Sequence, residues 1–204
     1  MAKIMTVDSE AMPGQAGQMR SHGQELNAEM TTAYRSIADM HSAWYGKRYS
    51  ELVKEFNQLA PKINELLELV VGEIPFTLET IANNYAQADM GSNITSANRT
   101  APNKIAELAL SNDVGMKFLT SEVTTTKGNV SNNFKKAVEK MNQVESVYNQ
   151  VQWDSEAADA FRAKFTKLKN EIVSAFENLD SQFTTLMEQT LSDIQATENA
   201  NTVQ

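Results

Sequence analysis

Four long apolar stripes with helical spacing constrain this chain more than any other feature of its sequence. In the first stripe, over about 8–43, apolar residues from Met12 onward recur at alternating steps of three and four. This spacing places them on one face of a helix, as in coiled coils. Similar stripes run over about 47–88, 116–151 and 158–196. The sequence therefore predicts an all-α protein built from four long helices.

A tryptophan-centred turn separates the two helices of each half. Trp44 lies between the first and second stripes, and Trp153 lies between the third and fourth. Short turns make consecutive helices antiparallel, and helices of this kind need tertiary packing to be stable. We therefore predict two antiparallel helical hairpins, over 1–98 and 99–204, that pack as an elongated four-helix bundle. The chain is expected to be a monomer, because its two halves can bury each other's stripes.

Glycine and proline predict where the helices are interrupted. The chain contains only 8 Gly and 4 Pro, too few for the many turns of an all-β fold. Gly72 and Pro75 predict a break at 72–75, since proline lacks an amide donor and clashes with the preceding turn. The segment 89–103 has the composition of a loop and is predicted as the linker between the halves. A short helix is predicted over 104–111.

Composition excludes several classes of function. The chain has no Cys and two His, which excludes disulfides, thiolate catalysis and histidine-rich metal centres. The net charge of −8 leaves no basic surface for nucleic acid. No apolar run approaches the length of a membrane span. Residues 1–8 lack the apolar segment of a Sec signal peptide, so none is expected.

The titratable residues give no sign of an active site. Glu65, Glu68, Glu73 and Glu79 have helical spacing, but none has the histidine companion that a carboxylate-bridged metal site requires. We interpret them as a solvated face, and we interpret His41 as a hydrogen-bonded structural residue. No catalytic residue, cofactor or metal site is therefore predicted, and a cofactor-binding four-helix enzyme is the least favoured class.

Two short motifs in the first half carry a family resemblance. The first turn reads Trp44-Tyr45-Gly46, and Tyr85 and Asp89 form a Tyr-X-X-X-Asp motif at the end of the second helix. This arrangement resembles the Trp-X-Gly (WXG) superfamily, the early-secreted-antigen-like substrates of bacterial type VII secretion. The resemblance implies hairpins that pair as antiparallel dimers, and it implies an export signal at Tyr85 and Asp89. The alternative for Tyr85 is packing on the helical stripe.

The second half departs from the family pattern. Its turn reads Trp153-Asp154-Ser155, with Ser in place of Gly, and no Tyr follows residue 148. In heterodimers of the family one partner carries the export motif, so the chain looks like such a dimer joined into one polypeptide. Trp44 and Trp153 are predicted to plug the ends of the core, with recognition of a partner as the alternative. Gly46 is predicted to adopt a backbone conformation that favours glycine.

The resemblance predicts a non-enzymatic protein secreted by a type VII system without a Sec signal peptide. Its expected partners are the membrane ATPase of that system or a co-secreted helical protein. The alternative is a cytoplasmic adaptor or chaperone that pairs with the helical targeting domain of a larger secreted toxin. An exposed apolar groove on one hairpin would favour this alternative.

Overall fold

The four stripes form four helical rods in the computed structural model, which describes residues 7–201. The elements in chain order are α1 (Met12–Asp39), β1 (Trp44–Tyr45), α2 (Lys47–Leu67), α3 (Ile74–Met90), β2 (Lys117–Phe118), α4 (Thr120–Gln150) and α5 (Glu156–Asn201). A 3-10 turn at Met40–Ser42 follows α1, and a π-helical turn at Glu68–Glu73 joins α2 to α3. The all-α prediction is confirmed. The expectation about a Sec signal peptide falls largely on residues 1–6, which lie outside the described residues, as do residues 202–204.

The two hairpins pack against each other in opposite directions. Helix α1 runs antiparallel along α4, where Lys140 forms an ion pair of 2.8 Å with Glu25. Helix α2 runs antiparallel along α5, where Arg48 forms an ion pair of 3.3 Å with Asp193. The apolar stripes of all four rods meet in one continuous core. The predicted four-helix bundle of paired hairpins is therefore confirmed.

The two hairpins repeat one pattern of buried residues in an antiparallel pair, here called the pseudo-two-fold correspondence. The buried positions of α4 repeat those of α1 in the same order, and those of α5 repeat those of α2. In this correspondence Met12, Leu26 and Ile37 match Val123, Ala137 and Tyr148, and Phe56 and Ile63 match Phe165 and Ile172. The predicted division of the chain between residues 98 and 99 stays a prediction, and it falls between these repeats.

The predicted break at 72–75 is wrong, because the chain remains helical through this region. The π turn at Glu68–Glu73 ends just before Pro75. A π turn admits one extra residue and shifts the hydrogen bonds by one position, which relieves the carbonyl that proline would crowd. It also shifts the buried face. Ala82 and Ala86 enter the core.

The linker is longer than predicted and is not helical. Residues 91–116, here called the strap, run extended along the groove between α1 and the α2–α3 rod. The short helix predicted over 104–111 is therefore wrong. Ile105 of the strap is buried in the core, and Leu108 packs against it. Polar side chains of the first hairpin replace the hydrogen bonds that a helix would have formed.

The interpretation of the acidic residues as a solvated face is wrong for Glu79. Its side chain is buried and forms a two-point ion pair with Arg20 of α1, with Nη2 and Oε2 separated by 2.7 Å. The same Nη2 donates to the carbonyl of Asn98 in the strap at 3.0 Å. Two-point carboxylate pairing suits the planar guanidinium. The pair joins α1, α3 and the strap at one end of the bundle.

Candidate functional site

Trp44, the first residue of the turn motif, closes one end of the core. Its side chain is 1% exposed, and its ring stacks on Phe183 with centroids 5.9 Å apart. Phe118 meets the same ring edge-on at 5.3 Å. Phe183 belongs to α5 and Phe118 to β2, so Trp44 joins the first hairpin to the second. A side chain buried in this way contributes packing and does not present a surface to a partner.

Gly46, the last residue of the motif, has the backbone that the sequence predicts. Its φ of 119° and ψ of −170° lie in a region that is almost restricted to glycine. This conformation turns the chain from β1 into α2. A Cβ atom at this position would lie 3.1 Å from the carbonyl oxygen of Gly115 in the strap. Both the dihedral angles and the close approach therefore require glycine.

The second turn leads the chain into its following helix with a serine in place of glycine. Ser155 occupies the position that corresponds to Gly46, and its hydroxyl accepts a hydrogen bond of 3.1 Å from the amide of Ala158. This is the interaction of a serine N-cap, which satisfies an otherwise unpaired amide at the start of a helix. The departure from Trp-X-Gly therefore has a physical reason. Trp153 is 8% exposed and packs beside Phe161 at 6.0 Å.

Each turn tryptophan is fixed by the other hairpin's leading segment. Trp44 pairs antiparallel with Phe118, just before α4, and Trp153 pairs antiparallel with Val7, ahead of α1. Because the hairpins run in opposite directions, the two pairings lie at opposite ends of the bundle. The two turns therefore join the hairpins at both ends of the bundle through equivalent backbone pairings.

Buried tyrosines hold the helices together near these turns. Tyr49 donates to the carbonyl of Ile37 at 3.0 Å, and Tyr148 donates to that of Ala158 at 2.8 Å. Each bond joins the two helices of one hairpin. Burial raises the pKa of both phenols to about 12. These hydroxyls therefore serve as neutral donors over the physiological pH range.

Tyr85 and Asp89 lie close together on the last turns of α3. Tyr85 is 42% exposed and Asp89 is exposed, and their spacing of i and i+4 places them on one helix face. The alternative prediction that Tyr85 packs in the core is wrong, because the π turn moves this face outward. The left-handed Gly91 ends the helix directly afterwards. Met90 and Ile94, both exposed, extend the apolar surface around this motif.

The strap is held by side-chain hydrogen bonds that were not predicted from the sequence. Asn57 and Asn64 of α2 each pair their side-chain amide with both backbone groups of one strap residue, Leu108 and Ile105 respectively, at 2.7–3.0 Å. Seven helical residues rise about 10.5 Å, and three extended residues span about 10 Å. The strap therefore advances three residues for each heptad of α2. Polar residues at heptad spacing beside an apolar stripe were the available signal.

Further polar contacts hold both ends of the strap. Asn83 of α3 accepts from the amides of Ile94 and Thr95 at 3.1 Å. At the other end His41 Nε2 lies 2.6 Å from an oxygen of Asp113, which agrees with the interpretation of His41 as a hydrogen-bonded structural residue. Hydrogen bonds from Ser111 and then from His41 lower the pKa of Asp113. Hydrogen bonds thus hold the strap at several points between Ile94 and Asp113.

Between residues 7 and 201 no three His, Asp or Glu side chains converge to hold a metal ion. Over the same residues no helix combines the length and the apolar character needed to cross a membrane.

Comparison with protein families gives a match over the first hairpin. The family described as proteins of 100 residues with WXG matches residues 4–90, which include the Trp44 turn, Tyr85 and Asp89. The match ends at the last residue of α3. Searches of curated proteins and of solved structures gave no significant match.

Proposed function

Because residues 4–90 match the family model of proteins of 100 residues with WXG, we propose that this chain is a WXG-type protein and a non-enzymatic substrate of a type VII system. In this proposal it is the single-chain equivalent of a family dimer, and it leaves the cell already folded. The first hairpin carries the export signal. The second hairpin replaces the partner subunit.

The observation that carries this proposal is the closed interface between the hairpins. The stripes of α1 and α4 bury each other along their length, with Met19, Leu26 and Met141 fully or almost fully buried. Asn133 of α4 donates to Glu29 of α1 at 2.6 Å across the same interface. A single hairpin would expose its stripe to water. We therefore infer a monomer that needs no second chain to complete its core.

The exposed motif at the end of α3 supports Tyr85 and Asp89 as the export signal. A receptor helix can contact both side chains at once, because they share one face. Met90 and Ile94 add apolar contact area beside them. The proposed receptor is the membrane ATPase of the secretion system or a co-secreted helical protein.

Export of point variants tests this proposal directly. Tyr85→Ala and Asp89→Asn are expected to stay folded and to accumulate in the cytoplasm of a host with a working type VII system. Leu110→Ala is a matched control for an exposed apolar residue outside the motif, and Glu188→Gln is the control for the loss of one exposed carboxylate. Both controls should reach the medium in wild-type amounts.

The same assay separates a folding defect from an export defect. Circular dichroism and thermal melting of the purified variants should match the wild type, because exposed substitutions change stability by only about 0.5 kcal/mol. A host that lacks the type VII ATPase should retain the wild-type chain as well. Wild-type secretion of both motif variants would contradict the export signal.

An adaptor that remains in the cytoplasm is the second candidate function. It is favoured by an open apolar groove on the second hairpin, lined by Phe134, Val138, Val173 and Phe176. In this proposal the chain would hold the helical domain of a larger toxin and would not itself be secreted. Retention of the wild-type chain in a secreting host, together with co-purification of such a domain, would favour the adaptor over the substrate.

A further inference from the structure

The two hairpins present corresponding grooves on their outer faces, and among residues 7–201 a segment of the chain fills only the first. In the first hairpin the groove between α1 and the α2–α3 rod holds the strap. The pseudo-two-fold correspondence places its lining residues Asn27 and Asn64 at Val138 and Val173 of the second hairpin. These two valines line an unfilled groove of about 570 Å³ between α4 and α5, here called the open groove.

Stacked aromatic rings form the floor of the open groove. Phe134 of α4 and Phe176 of α5 lie parallel with centroids 4.2 Å apart. Phe134 corresponds to Gly23 of α1, where a Cβ atom would approach Val71 to 2.6 Å. Glycine therefore brings the helices of the first hairpin together, and phenylalanine spaces those of the second. The open groove is continuous with the core, since Phe134 also lies 6.0 Å from Phe56.

The chemistry of the two grooves selects different occupants. The strap is extended, and Asn64 pairs with both backbone groups of its buried residue Ile105, while Asn27 donates to the carbonyl of Asn103. Valine at both corresponding positions has no such group. An extended segment in the open groove would leave buried amides and carbonyls unpaired at these points, which is unfavourable. A helix satisfies its own backbone and presents only side chains.

We propose that the open groove docks an amphipathic helix from a partner polypeptide. The helix would place apolar side chains at i, i+3 or i+4, and i+7 against Val138, Val173 and the stacked rings. This proposal deepens the second candidate function, which uses the same groove, and it is independent of Tyr85 and Asp89. Its failure would therefore leave the export proposal standing.

The rim charges determine how such a helix would lie. Lys135 borders the groove on α4, where it interacts electrostatically with Asp180, and Glu177 borders it on α5. Lys127 and Asp180 close one end through an ion pair of 3.0 Å. The occupant is therefore expected to carry acidic residues on the flank that faces α4 and basic residues on the flank that faces α5.

A second copy of this chain does not offer a suitable helix. The apolar stripes of α1, α2, α4 and α5 are buried inside the bundle. The large apolar residues that are exposed within 7–201 lie at the end of α3, on the strap and beside β2, and none forms a stripe along a helix. The occupant is therefore a helix of a different polypeptide.

Binding of two designed peptides to the full chain tests the proposal. The first is a labelled helical peptide of about 18 residues, five turns, with leucine at the stripe positions, glutamate on one flank and lysine on the other. The second is an extended peptide with the sequence of strap residues 101–110. Fluorescence anisotropy measures both affinities. A charge-reversed form of the helical peptide tests its orientation.

Matched variants assign the binding to the open groove. The double variant Val138→Asn, Val173→Asn gives the open groove the two asparagines that line the groove around the strap. Val114→Asn is the control, because it makes the same change at a fully exposed position of the strap. The wild type and Val114→Asn should bind the helical peptide and not the strap peptide. The double variant should bind the helical peptide at least about tenfold more weakly and gain affinity for the strap peptide.

Four results would overturn the proposal. The first is the absence of measurable binding of the helical peptide to the wild type. The second is equal binding by the double variant when its circular dichroism and melting temperature match the wild type. The third is equal affinity for the charge-reversed peptide. The fourth is dimerisation of the wild type in sedimentation that the double variant abolishes, since the occupant would then be a second copy.

Discussion

Replacement of Gly46 by alanine is the sharpest test of how the first turn is built. The φ of 119° and ψ of −170° at Gly46 belong to a region that other residues occupy at a cost of about 1–3 kcal/mol. The added Cβ would also lie 3.1 Å from the carbonyl oxygen of Gly115, so the strap must move by a few tenths of an ångström. Together these effects predict a loss of at least about 2 kcal/mol in the free energy of unfolding.

Thermal and urea denaturation of purified variants measure this loss. For a chain of this length, each kcal/mol corresponds to about 2–4 °C in melting temperature, so Gly46→Ala should melt about 4–8 °C lower. Gly91→Ala separates the two causes, because Gly91 has a φ of 72° and open space around its Cα. Its loss should be near 1 kcal/mol. Gly128→Ala, inside α4 with nothing nearby, should instead raise stability by up to about 1 kcal/mol.

The order of these three variants is the decisive result. Gly46→Val should destabilise more than Gly46→Ala, because a β-branched side chain tolerates a positive φ least. An unchanged melting temperature for Gly46→Ala would refute the structural reading of the Trp-X-Gly match. If Gly46→Ala loses no more free energy of unfolding than Gly91→Ala, the close approach to Gly115 contributes nothing to the destabilisation.

Three further variants test the interior. Burial raises the pKa of Tyr148 from 10 in the unfolded state to about 12 in the folded state. The free energy of unfolding should therefore fall as the pH rises from about 10 to 12. In urea titrations at alkaline pH, Tyr148→Phe should reduce that fall. Asn64→Ala should lower the free energy of unfolding by about 1–3 kcal/mol and speed hydrogen exchange of the Ile105 amide, which donates to Asn64. Unchanged exchange at Ile105 would show that this hydrogen bond does not hold the strap. Arg20→Met should cost about 3 kcal/mol or more by leaving Glu79 buried and unpaired, and Arg20→Met with Glu79→Met should recover much of the loss in denaturant melts.

The helices could be predicted from the sequence because their stripes are local patterns. Buried positions such as Leu26 and Ile172 recur at steps of three and four, and their order survives in the structure. The family motif likewise marked Trp44 and Gly46 at the turn. The conformation of Gly46 followed from residue chemistry alone.

The strap could not be predicted in this way. Residues 104–111 are rich in alanine, leucine, lysine and glutamate, which favour a helix locally. The competing partners, Asn57 and Asn64, lie far away in sequence and become visible only when α2 is placed beside the strap. The ion pair between Arg20 and Glu79 was missed for the same reason. Tertiary contacts outweighed local propensity in both cases.

Fusion of two hairpins into one chain changes what each hairpin must do. In a pair of separate chains, both outer grooves can remain open. Here the connection must run from the end of α3 to the start of α4 at the opposite end of the bundle, because the hairpins are antiparallel. An extended strap of 26 residues covers this distance, and the first hairpin supplies Asn57, Asn64 and Asn83 to hold it. The groove of the second hairpin does not have to hold the connection between the hairpins, so its lining residues can be apolar. The difference between the two grooves therefore follows from the linkage itself.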